Sequence, residues 1–155
     1  MAPANKTSCD AAVDKFNLER FVQAQDTRGV YEKALAELKA GQKKGHWMWY
    51  IFPQIAGLGK SAIAQKFAIS SQEEAQAYLE HKVLGARLLE VTRVVADGPA
   101  ASVEDLMKGM PIDALKLQSS MTLFAHVSED EVFKQVLDRY FGGEDTATMN
   151  ILVKE

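Results

Sequence analysis

From Leu18 onward, apolar residues recur at the spacing that places them on one face of successive helices, with turn residues between the runs. Leu18, Phe21 and Val22 share a face with Gln25 in a first short helix that Asn17 can cap. Tyr31, Leu35 and Leu38 form the face of a second, with Thr27 as its cap and Gly41 as its stop. Pro53 has no amide proton and holds Phe52 extended, so the segment from His46 to Gln54 is a short helix or turn. Gly57 and Gly59 mark a loop, after which Ser61 can cap a short turn carrying Ile63 and Phe67. Ser71 with Glu74 reads as a capping box opening a helix from Gln72 to about Glu80. Val83, Leu84, Leu88, Val91, Val94 and Val95 then form a long stripe that closes at Gly98-Pro99. Ser102 opens a helix over Val103 to Lys108, and Pro111 opens another whose Leu115, Leu117, Met121, Leu123 and Phe124 are expected in the core. Ser128 with Glu131 reads as a second capping box, followed by Val132, Phe133, Val136, Leu137, Tyr140 and Phe141 before Gly142-Gly143.

The pattern leaves little room for strands and predicts an all-α fold, an irregular single-domain bundle of about seven to eight helices. The domain is expected over residues 15–143, between tails at 1–14 and 144–155. At 155 residues the chain has the size of one domain with a core of its own. Its 18 basic and 21 acidic residues lack the positive excess that gives affinity for phosphate backbones, so no nucleic-acid partner is expected. The single cysteine, Cys9, has no partner for an internal disulfide and suits a reducing cytoplasm. No apolar run approaches the roughly 18 residues of a spanning helix, so no membrane is expected.

Candidate chemistry concentrates at His46-Trp47-Met48-Trp49-Tyr50-Ile51-Phe52-Pro53-Gln54. Its four aromatic side chains cannot all face inward on one helical stripe, so at least one is expected to line a groove or stack on something. His46 is a candidate acid or base, and Trp47, Trp49 and Gln54 are candidate ligand contacts. Gly57-Leu58-Gly59-Lys60-Ser61 invites comparison with a phosphate-binding loop, but Gln54 stands where that motif places its first glycine. Two readings remain for Gly57, Gly59 and Lys60: an anion site of amides and positive charge, or a plain turn. Glu19 and Gln23 share a helix face that could border a groove. Ser119 and Ser120 lie in an apolar helix, where hydroxyls bond backward to carbonyls or point into a polar cavity. His81 and His126 have no neighbours at ligand spacing, so no metal is expected, and no cofactor is implied.

The chain from Phe16 to about Gly143 resembles a bacterial family of small all-helical proteins known as domain of unknown function 1810, some of whose members carry the label calpastatin. The resemblance rests on Phe16-Asn17-Leu18-Glu19-Arg20-Phe21-Val22-Gln23-Ala24-Gln25, the His46-to-Gln54 segment, Gly57-Leu58-Gly59, Val83-Leu84-Gly85-Ala86-Arg87-Leu88, Lys116 to Phe124, and Leu137-Asp138-Arg139-Tyr140-Phe141-Gly142-Gly143. It implies an all-helical fold and brings no activity. A shorter likeness joins Glu19-Arg20-Phe21-Val22-Gln23-Ala24-Gln25 to the Glu-His-Tyr-Phe-Gln-Ala-Gln segment of helical N-glycosidases acting on ADP-ribose-type and riboflavin-pathway nucleotides, with Arg20 in place of the histidine. That likeness implies Glu19 as the acid at a glycosidic bond, Trp47 or Trp49 stacked on a base, and Lys60 at phosphate.

The expected function is therefore binding of a small anionic or nucleotide-like ligand, with phosphate as the natural anion, in an aromatic-lined groove where Glu19, Trp47 and Ser119 meet. The alternatives are an N-glycosidase centred on Glu19 and an interaction module using an exposed tryptophan.

Overall fold

The computed structural model describes residues 14–154. Cys9 and the tail expected over 1–14, Asp14 apart, lie outside them. The described residues form α1 (Glu19–Asp26), a 3-10 turn (Thr27–Gly29), α2 (Val30–Ala40), α3 (Met48–Ile51), α4 (Ala62–Lys66), α5 (Gln72–Glu80), α6 (Lys82–Asp97), α7 (Val103–Leu106), α8 (Pro111–Val127), α9 (Val132–Tyr140) and α10 (Thr146–Leu152). Among them there is no named strand; an isolated parallel bridge joins Ile55 to Ile69. The all-α prediction holds.

Two long helices organise the core. Leu84, Leu88, Val91 and Val95 of α6 are buried as the stripe predicts, and α2, α5 and α9 pack around that helix. Gly85 makes the α5–α6 corner possible, because a Cβ there would lie 2.0 Å from the Leu79 carbonyl oxygen. Helix α8 is buried on every side from Leu117 to Phe124, except for half-buried Gln118, under α5, α9 and α10. A helix enclosed this way carries no amphipathic signature. Its first turns differ: Ile112 is 68% and Leu115 54% exposed. The core expectation for Leu115 is thus corrected: Asp113 of the same turns is buried against Lys43, while Ile112 and Leu115 lie on the outward face, which no described helix covers.

Several caps fall where local chemistry places them. Ser61, Ser71 and Ser102 each accept the amide proton of the residue three positions on. Gly41 closes α2 in the left-handed region at φ 78°. Others are corrected. Asp14, not Asn17, starts α1, its carboxylate accepting from Leu18 N at 2.6 Å and Glu19 N at 3.3 Å. Thr27 donates its hydroxyl backward to the Gln23 carbonyl at 2.6 Å, and Gly29 is the residue that precedes α2. Ser128 accepts from Asp130 N at 3.0 Å, and Asp130 in turn accepts from Val132 N, so the Ser128–Glu131 box does not form.

The C-terminal residues expected as a tail include α10, with Thr148 and Leu152 buried against α8. Asp145 caps it, accepting from Thr148 N at 2.9 Å. The family resemblance stopped near Gly143, so sequence reasoning had no frame for this helix. Among the described residues no helix is long and apolar enough to cross a membrane.

Candidate functional site

The aromatic segment divides its side chains between core and surface. Trp47 is only 4% exposed, and its indole N–H donates to Glu37 Oε1 at 2.9 Å. The same oxygen accepts from Lys44 N at 2.7 Å and Gly45 N at 2.9 Å. Burial alone would raise the Glu37 pKa; those three donors and the Lys43 charge hold it below its ordinary value. Lys43 is itself buried, lies over the Trp47 ring, donates to the Gly45 carbonyl and pairs with Asp113 at 2.8 Å. Trp49 is half-buried beneath Lys116, whose ammonium stands 4.5 Å from the ring centroid. Neither indole projects from the surface, which leaves the exposed-tryptophan alternative without its anchor.

Tyr50 is the aromatic that lines a groove. Its ring meets Phe67 edge to face at 4.8 Å between centroids. With Ala24, Val30, Ala62 and Ile63 these rings floor an open groove of about 530 Å³ between the end of α1, the 27–29 turn and α4. Thr27, Arg28 and Lys66 complete the lining, so the charged residues around it are all cationic. Neither Arg28 nor Lys66 forms an ion pair among the described residues. Arg28 sits in the left-handed region at φ 54°, ψ 26°, a conformation that costs a non-glycine residue about 1 to 3 kcal/mol and concentrates at functional sites.

Gln25 fixes the back of this groove. Buried to 1% exposure, it donates to the Tyr50 carbonyl at 2.7 Å and to the Tyr78 hydroxyl at 3.2 Å, and accepts from Arg87 at 3.1 Å. Arg87 also pairs with Asp26 at 2.9 Å. A glutamine on an apolar helix face was the available signal for this role, because a buried amide must find partners.

The residues predicted for the site are scattered. Glu19 and Gln23 face solvent on α1, and His46 is exposed beside the buried Trp47. Ser119 is buried within 2.7 Å of Thr148 Oγ1; since Thr148 donates to the Asp145 carboxylate, Ser119 is the donor to Thr148 and anchors α10. Ser120 is buried with no hydrogen-bond partner among the described residues. The meeting of Glu19, Trp47 and Ser119 in one groove does not occur: one is in water and the other two are held in separate buried contacts. Gln54 is half-buried and its carbonyl accepts from Ile69 N at 2.8 Å. Gly57 has φ 106°, and a Cβ on Gly59 would lie 2.5 Å from that of Ala64, so both glycines serve the turn. Lys60 is exposed before a helix of only 5 residues. None of these ten residues, nor Trp49, lines the Tyr50 groove.

The family model for proteins of unknown function, DUF1810, matches residues 15–152, nearly the whole described chain. The chain belongs to this family. The structure is also similar to the crystal structure of the conserved hypothetical protein Rv1873 from Mycobacterium tuberculosis, with a TM-score of 0.85 and 48% identity over 90% of this chain and 99% of that one. No curated protein matches. Neither finding carries the calpastatin label. In this DUF1810 chain the segments behind the resemblance tie helices together. Arg20, which stands where the glycosidase segment has histidine, donates to the Phe16, Asn17, Lys66 and Ala68 carbonyls and pairs with Glu74 at 2.9 Å. Arg139 likewise collects the carbonyls of Val95, Ala96, Gly98 and Ala100 at the end of α6.

Proposed function

We propose that this protein binds a small anionic ligand with a flat apolar portion, such as a nucleotide or an aryl phosphate, in the groove floored by Tyr50 and Phe67. The observation that carries the reading is the pairing of an aromatic floor with two cations, Arg28 and Lys66, that have no ion-pair partner among the described residues. The rings supply area that leaves water on contact with a planar group. The Arg28 fork suits two oxygens of a phosphate or carboxylate, and Lys66 adds a point charge. The single cysteine suits action in the cytoplasm.

Isothermal titration with adenosine monophosphate and phenyl phosphate at low salt tests this. We expect one or both to bind the wild type, and Arg28→Ala with Lys66→Ala to weaken binding at least about tenfold, equivalent to about 1.4 kcal/mol. Both substituted side chains are exposed, so the variant should stay folded. Absence of binding by both probes at millimolar concentration, or undiminished binding by the double variant, would reject the proposal.

A further inference from the structure

We infer that the open end of α8 is a docking surface for a cationic amphipathic segment of another protein. Ile112 and Leu115 are two of the three large hydrophobic residues exposed among the described residues, the third being Val153 at the far end of the chain. They stand three apart on one helix, the spacing that presents neighbouring side chains on a common face. Beside them lies a groove of about 490 Å³ whose apolar lining includes Val103, Met110, Pro111, Leu115 and Phe141. Clustered apolar exposure of this kind marks interaction surfaces, whereas scattered single residues do not.

Charge selects the partner. Glu104 is the charged residue that lines the apolar groove, and it also lines an adjoining polar cleft of about 680 Å³, where Asp105 joins it. Glu104 and Gly109 line both, so the two adjoin along a shared wall. Lys108 lines the polar cleft but not the apolar groove, which leaves two carboxylates against one ammonium there and a carboxylate alone beside the apolar wall. Neither Glu104 nor Asp105 forms an ion pair among the described residues. A complementary occupant lays aliphatic side chains against Leu115 and Phe141 and brings lysine or arginine to Glu104 and Asp105. This is the helix-in-groove mode with electrostatic selection added.

Fluorescence anisotropy with a labelled Leu/Lys amphipathic peptide and its Leu/Glu analogue tests the surface on the full chain. The Leu/Lys peptide should bind the wild type more tightly than the analogue, and Leu115→Glu should weaken it at least about tenfold, the loss typical of an anchor residue. Ile112→Glu, at the more exposed position, repeats the test should Leu115→Glu fail to fold. Glu104→Lys with Asp105→Lys should reverse the preference between the peptides. Equal binding of both peptides to the wild type, or no effect of either glutamate substitution, would overturn the inference. So would sedimentation showing self-association that Leu115→Glu abolishes, because the surface would then belong to a second copy of this chain.

Discussion

The aromatic segment around Trp47 and the first turns of α8 exchange the roles their residue types suggest. Trp47, Met48, Ile51 and Phe52 sit in a segment crowded enough to look like a ligand surface, yet all four are buried. Leu115 belongs to an apolar pattern that reads as core, yet it is exposed, as is Ile112 one turn before it. The difference lies in what covers them. Glu37 accepts from the Trp47 indole, Lys43 lies over its ring, and the Phe52 ring tilts against it with centroids 6.3 Å apart, whereas no described helix covers the outer face of α8 before Leu117. Hydrophobicity states what a side chain gains from burial; the surrounding chain decides whether burial is on offer.

That contrast breaks most sharply under truncation. Trp47→Ala should cost about 3 to 5 kcal/mol, the range for removing a buried large aromatic, while Leu115→Ala should stay within about 0.5 kcal/mol. Urea unfolding of both variants checks this, and similar losses at the two sites would erase the distinction. Next in size is Lys43→Met, which leaves Asp113, among the described residues, with Lys116 as its remaining cation at 3.7 Å. We expect a loss of about 3 kcal/mol, partly recovered when Asp113→Leu removes the orphaned charge as well. Failure of the double variant to recover any stability would show that the pair acts through packing alone.

A smaller effect separates two serines that look alike in sequence. Ser71 accepts from Glu74 N at 3.1 Å and caps α5, so Ser71→Ala should cost about 1 kcal/mol. Ser128 caps no helix, and Ser128→Ala should cost clearly less in the same denaturant series. The mildest test is pH. The folded-state pKa of Glu37 is lowered from its ordinary value of 4.5, so its contribution is fully present above that value and is lost as pH falls through the folded pKa. Stability measured from pH 6 downward should therefore decline less steeply in Glu37→Gln than in the wild type; parallel profiles would mean that the carboxylate contributes no charge-dependent stability.

The candidate groove was only partly legible beforehand. Four aromatics in six residues required one to leave the core, and Tyr50 does so, but its partner Phe67 and the cations Arg28 and Lys66 come from separate segments. No spacing rule links residues 28, 50 and 66.

What the sequence by itself determined about this protein is what short-range physics governs. Pro111 occupies the first turn of α8, Gly41 closes α2, Ser71 caps α5, and the stripe of α6 is buried, because each depends on bonds or periodicity within a few residues. Only the tertiary structure decided that Gln25 holds Tyr50, that Arg20 pairs with Glu74, that Ser119 anchors α10 through Thr148, and that Leu115 stays in water. Those outcomes join residues tens of positions apart, and a polar or apolar side chain states only the kind of partner it needs, while chain topology determines which partner arrives.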